Sequence, residues 1–139
     1  MGPLDGITVL DVTQVVSGPF ASMTLADLGA EVVKIERPDG GDIARSNPPY
    51  VHGQSAYFAA VNRNKKSVAL DLKSAEGQAA ALAEEADVLI ENAPPGRMER
   101  FGLDYETVRE YSEEIVYCSI TGFGQTGPYR ERPALDIVV

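Results

Sequence analysis

Residues 7–38 read ITVLDVTQVVSGPFASMTLADLGAEVVKIERP, and this stretch decides the fold. A short apolar run (Ile7, Val9, Leu10) leads into a polar turn at Ser17-Gly18-Pro19. A helical pattern follows at Phe20, Met23, Leu25 and Leu28, closed by Gly29. A second apolar run, Val32-Val33-Lys34-Ile35, ends at Glu36-Arg37-Pro38. Strand, loop, helix and strand in that order make a parallel βαβ unit, which crosses over right-handed. Ser17 stands where an N-cap is expected, Pro19 suits the first turn, and Gly29 suits a left-handed C-cap. The unpaired N–H groups of that helix would open near the C-terminal end of the first strand, where α/β proteins hold anionic ligands.

Outward from this unit, Asp39-Gly40-Gly41-Asp42 is a turn signal, and the dozen residues after it, with Pro48 and Pro49, read as an irregular loop. Ser55–Val61 reads as a short helix with Tyr57, Phe58 and Val61 on its apolar side, and residues 62–66 as a basic, polar connector. Residues 67–72 form a third strand, after which Ser74 caps a helix running to Ala86. Val88-Leu89-Ile90 is a buried-type fourth strand, and Ala93-Pro94-Pro95-Gly96 a turn. A short helix at Arg97–Phe101 and another at Tyr105–Tyr111, capped by Asp104, precede a fifth strand over residues 115–120. The glycine-rich segment TGFGQTGPYRERPALD comes last, its Gly122, Gly124 and Gly127 calling for special backbone angles or close approach of another segment. Strands alternating with helices predict an α/β fold, a Rossmann-like parallel sheet flanked by helices.

The 139 residues suit one domain with a real core. No apolar run approaches the roughly 20 residues of a membrane span, and the N-terminus lacks the basic start and apolar stretch of a secretory signal. Cys118 is the single cysteine; it reads as a small buried residue and fits a reducing, cytoplasmic setting. Residues 1–73 carry seven Lys/Arg against eight Asp/Glu, a net of −1, whereas residues 74–139 carry five against thirteen, a net of −8. That balance argues against a nucleic-acid partner. The cations available to a polyanion cluster in the first half: Lys34, Arg37, Arg63, Lys65, Lys66 and Lys73. His52, the only histidine, reads as a solvated loop residue. Without a GxGxxG pattern a nicotinamide site has weak support, and no metal site is expected. The apolar end at Ile137-Val138-Val139 has no cap or polar tail, so the chain is expected to be a piece of something longer.

Five segments in register carry a family resemblance: PLDGITVLDVTQVVSGPFAS, LADLGAEVVKIERPDGGDIAR, YFAAVNRNKKSVALDLKSAEG, ADVLIENAPPGRMERFGLDYE and VYCSITGFGQTGPYRERPALD. Together they span nearly the whole chain, which resembles the N-terminal part of the family III CoA-transferases, the formyl-CoA:oxalate and carnitine CoA-transferase (CaiB/BaiF) group. The resemblance implies that residues 1–139 are the first, incomplete part of a Rossmann-like large domain in an interlocked homodimer. It implies transfer of CoA from an acyl-CoA to a carboxylic acid, with the CoA thioester as substrate and no cofactor. An aspartate carboxylate is the implied nucleophile, with glycine-rich loops offering N–H donors to the oxyanions. Family members carry that aspartate in a Gly-Asp context further downstream. Asp136 aligns with a different acidic position near the active site, so no catalytic residue is assigned here.

The resemblance also implies a CoA-binding set. Val16 and Ser17 face CoA and the thioester, although the residues themselves read equally as a helix cap; some oxalate-handling members carry a glutamine at the Val16 position. Arg37 pairs with phosphate or stacks on adenine, and Glu36 beside it offers an acceptor to a ribose. Leu70, Asp71, Leu72 and Lys73 follow the adenosine, with Lys73 reaching a phosphate or else standing as a solvated helix-start lysine. Asn92, Ala93 and Pro94 take the adenine, Ala93 replacing a frequent aromatic. Arg100 meets a phosphate or is an exposed helix arginine. Lys65 and Lys66 read as surface residues that steer CoA.

Two other readings remain open. Acyl-CoA racemases share these motifs but place a histidine just before the acid aligned with Asp136, where this sequence has Leu135; one of the two acid/base groups is then missing. A truncated, non-catalytic module that binds CoA or a partner is the third.

Overall fold

The computed structural model describes residues 2–74 and 86–134. Five strands, β1 (Thr8–Val12), β2 (Glu31–Glu36), β5 (Lys65–Ala69), β6 (Val88–Glu91) and β7 (Val116–Ser119), form one sheet in the order β5-β2-β1-β6-β7. Every neighbouring pair in it is parallel. The chain therefore runs outward from β1 on one side, returns, and runs outward on the other, reversing between β1 and β6. That reversal is the switch point at which doubly wound sheets open a ligand crevice beyond the strands' carboxyl ends.

Helix α1 (Ser17–Asp27) joins β1 to β2 and packs against β1, β2 and β6. Its buried residues are Gly18, Pro19, Ser22, Met23 and Ala26, whereas Phe20 and Leu28, two apolar residues of the helical pattern, are 56% and 42% exposed. The start of the helix lies close against Thr13, the first residue after β1. A Cβ on Gly18 would sit 2.3 Å from Thr13 Cβ and Cγ2. Gly29 has φ 107° and takes the expected left-handed C-terminal position. Ser17 does not cap the helix: Val16 occupies that position, and no side chain caps it.

The irregular loop after Pro38 contains a 3₁₀ turn, Ile43–Ser46, and a small hairpin of β3 (Tyr50–Val51) and β4 (Gln54–Ser55). His52 (φ 51°) and Gly53 (φ 79°) make its turn, both left-handed as a two-residue hairpin of matching twist requires. Helix α2 (Ala56–Asn62), capped by Ser55, packs on α1. The third strand of the sheet starts at Lys65 and stops at Ala69, earlier than the pattern implied, so Leu70–Lys73 lie beyond the strand. The helix expected after Ser74 lies outside the described residues. A 3₁₀ turn at Glu99–Phe101 and α3 (Tyr105–Tyr111), capped by Asp104, lead to β7. Cys118 is exposed, contrary to expectation, because β7 is an edge strand.

Alternation along the strands sorts two apolar layers. Val9, Val32 and Ile90 pack with Ala26 and Ala30 on the α1 face. Leu10, Ile35 and Leu89 pack with Met98, Leu103, Val108 and Ile115 on the other. Toward the carboxyl ends of the strands the α1 face turns polar: Asp11 lies opposite Lys34, and Lys34 opposite Ser67. Asp11 is fully buried, and its Oδ2 accepts from Lys65 Nζ at 2.9 Å and Ser22 Oγ at 2.6 Å, with Lys34 Nζ 4.0 Å away. Its Oδ1 accepts from the Thr13 N–H at 2.9 Å and from the Thr13 hydroxyl. Burial pushes the Asp11 carboxyl up, but Lys34, Lys65 and the two hydroxyls outweigh it and hold the group below its ordinary range. Burial conversely pulls Lys65 below the ordinary lysine range, against the opposing pull of Asp11.

Removing one member of a buried ionic group strands the others. Asp11→Ala is expected to cost about 3–5 kcal/mol in urea unfolding; a loss under about 1 kcal/mol, the level of an exposed pair, would show that the carboxylate does not hold the two lysines.

Candidate functional site

Segments expected to bind ligand follow the carboxyl ends of the parallel strands: residues 13–17 after β1, 37–42 after β2, 70–73 after β5 and 92–96 after β6. At the switch point the β1 and β6 segments are stitched together. The Gln14 N–H donates to Asn92 Oδ1 and Asn92 Nδ2 donates to the Gln14 carbonyl, both at 2.8 Å. The Asn92 amide thus pairs with one residue's backbone as a neighbouring strand does, and its Nδ2 also reaches Ser17 Oγ at 3.4 Å.

The next residue, Val15, has φ 71°, a left-handed conformation exceptional for a β-branched side chain. Its N–H donates to Asp42 Oδ1 at 3.1 Å. Asp42 is buried, and its Oδ2 stands 3.0 Å from Lys34 Nζ as an ion pair without hydrogen-bond alignment. Lys34, 1% exposed, donates to the Thr13 carbonyl at 2.7 Å. The loop is therefore tied at Thr13, Gln14 and Val15, while Val16 and Ser17 remain exposed beyond the ties.

Glu36, at the end of β2, is buried and fully engaged. Arg45 donates to it from Nε and Nη2 at 2.6 Å each, Ser67 Oγ donates at 2.6 Å, and the Asp42 N–H at 2.9 Å. Burial pushes the carboxyl up, but the Arg45 hydrogen bonds, Ser67, the Asp42 N–H and the guanidinium charge bring it down to about 2. Gly41 makes room for this cluster: its φ is 66°, and a Cβ there would lie 2.5 Å from Glu36 Oε2. Arg45 also stacks 3.8 Å over the Phe58 ring. A cavity of about 400 Å³ lined by Arg45, Ser55, Phe58, Asn62 and Arg63, among others, shares no residue with the strand-end segments.

Ion pairing sorts the cations of the first half. Lys34 pairs with Asp42, Arg45 with Glu36, Arg63 with Asp27, Lys65 with Asp11 and Lys66 with Glu31. Arg37 and Lys73 alone among the seven have no carboxylate partner among the described residues. Both are exposed and follow adjacent strands, β2 and β5.

Residues 4–139 match the family described as CoA-transferase family III. This chain belongs to that family. It is 50% identical over 139 residues to the human succinyl-CoA:glutarate CoA-transferase, covering 98% of this chain and 32% of that protein. It is 48% identical over 141 residues to the acetyl-CoA:oxalate CoA-transferase of Acetobacter aceti, covering 99% and 36%. The crystal structure of a CAIB/BAIF family protein from Brucella suis has a TM-score of 0.91 to it at 44% identity, covering 99% of this chain and 38% of that one. The chain spans about a third of the length of the curated relatives it matches.

Among the residues expected to bind CoA in this family III chain, Val16, Ser17 and Asn92 come together at the switch point, although the Asn92 side chain is committed to the β1 loop. Arg37 donates from Nε and Nη2 to the Gly41 carbonyl. Leu70 adjoins it, its N–H donating to the Glu36 carbonyl at 2.9 Å. Leu70, Leu72 and Ala93 pack on the core through their side chains. Asp71 Oδ1 accepts from the Lys73 N–H at 3.0 Å, shaping the turn that carries Lys73. Ala93 donates its N–H to Glu91 Oε2 at 2.6 Å, and Pro94 is exposed. Arg100 lies on the 3₁₀ turn, exposed, with no hydrogen bond or ion pair to the other ten among the described residues.

Three cation and acid assignments change. Lys34 and Lys65 are not available to a polyanion, since both are buried against Asp11 and Asp42. Glu36 offers no ribose acceptor, since Arg45, Ser67 and Asp42 occupy it. The residues that shape the loop, Asp11, Gln14, Lys34, Asp42 and Lys65, were not singled out from sequence as its supports. Their one signal is a pair of opposite charges, Asp11 and Lys34, inside otherwise apolar strands.

Because the folded Glu36 carboxyl titrates near 2 against an ordinary 4.5, its contribution is complete above about pH 4.5 and is lost as the pH falls toward 2. Glu36→Gln is expected to lower the urea midpoint at pH 7, with the gap to wild type narrowing at pH 3. A gap that stays constant would show that the carboxylate charge contributes nothing.

Proposed function

We propose that the protein carrying this chain moves CoA from an acyl-CoA to a carboxylic acid, and that residues 1–139 supply the first part of its large domain and the nucleotide side of the CoA site. The observation carrying this reading is the selection of Arg37 and Lys73: two exposed cations with no carboxylate partner among the described residues, on neighbouring loops at the carboxyl edge of a parallel sheet. Phosphates at such an edge meet fixed positive charge without first breaking an ion pair. The Val16-Ser17 segment, held out beyond the tied part of the β1 loop, faces the thioester in this reading, and the β6 turn at Asn92–Pro94 borders the adenine.

The chemistry needs a carboxylate nucleophile, which we place downstream of Val139. An aspartate there attacks the thioester carbonyl, expelling CoA thiolate and leaving a mixed anhydride. The thiolate returns to the aspartyl carbonyl, releasing the donor acid and leaving an aspartyl thioester. The acceptor carboxylate then attacks the aspartyl thioester, and the freed thiolate takes up the acceptor's acyl group, restoring the aspartate. An interlocked homodimer and a cytoplasmic setting belong to the same reading. Among the described residues no helix is long and apolar enough to cross a membrane.

The names of the similar proteins supply the first substrates to test, succinyl-CoA as donor and glutarate as acceptor. The full-length protein is expected to form glutaryl-CoA from this pair or an analogous acyl-CoA from another acid; no exchange between any acyl-CoA and acid, with folding confirmed, would reject the assignment. Arg37→Ala is expected to weaken CoA binding by about 1–3 kcal/mol in calorimetric titration, the scale of a hydrogen bond to a charged group. An unchanged dissociation constant would show Arg37 to be an ordinary surface arginine.

A further inference from the structure

We infer that Asp42 is a positioning residue for the acyl-CoA site: by accepting the Val15 N–H it holds Val15 left-handed and thereby sets the direction in which Val16 and Ser17 leave the β1 loop. The inference rests on the proposed CoA-site role of that loop. A valine at φ 71° is disfavoured by contact of its branched side chain with its own backbone, so some other interaction must select it. The neighbouring residues show which. Val15 is 38% exposed, so packing does not enforce the conformation. Its N–H has one acceptor, Asp42 Oδ1, at 3.1 Å.

Asp42 is built not to yield. Its Oδ1 also takes the Ala44 N–H at 2.9 Å, its own N–H is bound to Glu36 Oε2 at 2.9 Å, and its Oδ2 faces Lys34 at 3.0 Å. Lys34 in turn holds the Thr13 carbonyl at 2.7 Å, two residues before Val15. The same charge pair therefore grips the loop on both sides of Gln14, while Asn92 grips Gln14 itself. Rotating Val15 back to an ordinary φ would break its bond to Asp42 and redirect the chain at Val16. Asp42 has no contact with the exposed surface where CoA would lie, since it is 2% exposed. Its influence on binding passes through the Val15 backbone.

Glycine adopts the left-handed region without penalty and needs no anchor there, whereas proline has neither the required φ nor an N–H. The experiment uses the full-length protein, with calorimetric titration of CoA, steady-state kinetics, urea midpoints and hydrogen exchange at the Val15 amide. Asp42→Ala is expected to raise the CoA dissociation constant about tenfold, the scale of the left-handed penalty. It is also expected to raise KM for acyl-CoA more than it lowers kcat, and to speed Val15 exchange. Adding Val15→Gly to that variant restores most of the affinity but not the urea midpoint, a separation that a purely stabilising Asp42 would not produce. Should Asp42→Ala fail to fold, Val15→Pro tests the same point with the Lys34–Asp42 pair intact, and it too is expected to lose about tenfold. Wild-type affinity in Val15→Pro, or a loss in Asp42→Ala that Val15→Gly leaves untouched, overturns the inference. If the wild-type protein itself binds no CoA, the proposed function fails, and the anchor is judged on exchange alone: equal Val15 exchange in wild type and Asp42→Ala overturns it.

Discussion

A carboxylate with no access to water, Asp11, is the point on which the structure depends. It lies on the central strand, and it draws in a lysine from each of the two strands beside it on one side, a hydroxyl from α1, and the backbone of the first loop residue. Burying such a group is costly, and an apolar cluster of the same volume would hold three strands together as well or better. What an apolar cluster lacks is direction. Asp11 and Lys34 each carry hydrogen-bonding capacity beyond their mutual attraction, and each spends it on Thr13, one through the N–H and hydroxyl and the other through the carbonyl. The sheet's interior charge thus fixes the orientation of the residue at which the strand becomes a loop.

From Thr13 outward the constraint is relayed through polar groups. Gln14 is fixed by the Asn92 amide across the switch point, and Val15 by Asp42. Strands β1, β2 and β6 therefore all contribute to a segment that would otherwise be a mobile connection. Close packing at its far end comes from Gly18, where any side chain would collide with Thr13. Binding loops on rigid sheets meet ligands at small ordering cost, because the entropy is surrendered in folding and not in binding. In this chain the ordering is done by buried polar side chains, and the apolar side chains of the loop, Val15 and Val16, are left outside.

The βαβ unit was legible because it is written in local terms: apolar runs of strand length, a glycine at the helix end, and a charged tripeptide where β2 stops. Parallel pairing, and the placing of the segments expected to bind ligand after the strands' carboxyl ends, followed from it. The polar interior was not legible. Lys65 sits in the run Arg63-Asn64-Lys65-Lys66 and reads there as one of several surface cations, yet the two-residue period of β5 turns it inward and Lys66 outward. The buried face of α1 is equally hard to read: Phe20 and Leu28 carry hydrophobicity but are exposed, whereas Gly18, Pro19 and Ser22 are buried, Gly18 against Thr13. Val15 has no sequence signal, because its conformation is imposed by a side chain 27 residues away. Cys118 is not buried as expected, because burial of a strand depends on its neighbours, and among the described residues β7 has one on one side only.

Ion pairing sorts the cations of the first half better than position along the sequence does. The first half of the chain is nearly neutral, so most of its lysines and arginines have carboxylates to find, and five of the seven find them. Two of those pairings are buried, where breaking them for a phosphate would strand a charge. Glu36 is buried under Arg45, and the two exposed pairs, Arg63–Asp27 and Lys66–Glu31, are weaker, but a phosphate must still compete with a carboxylate already in place. Among the described residues Arg37 meets only the neutral Gly41 carbonyl, which orients the guanidinium without cancelling its charge. The Lys73 N–H is fixed by Asp71 while its ammonium has no ion-pair partner among the described residues. The net charge of an acidic chain sets the long-range field, which salt screens within about 10 Å, and Arg37 and Lys73, without a carboxylate partner among the described residues, set the local one at the sheet edge.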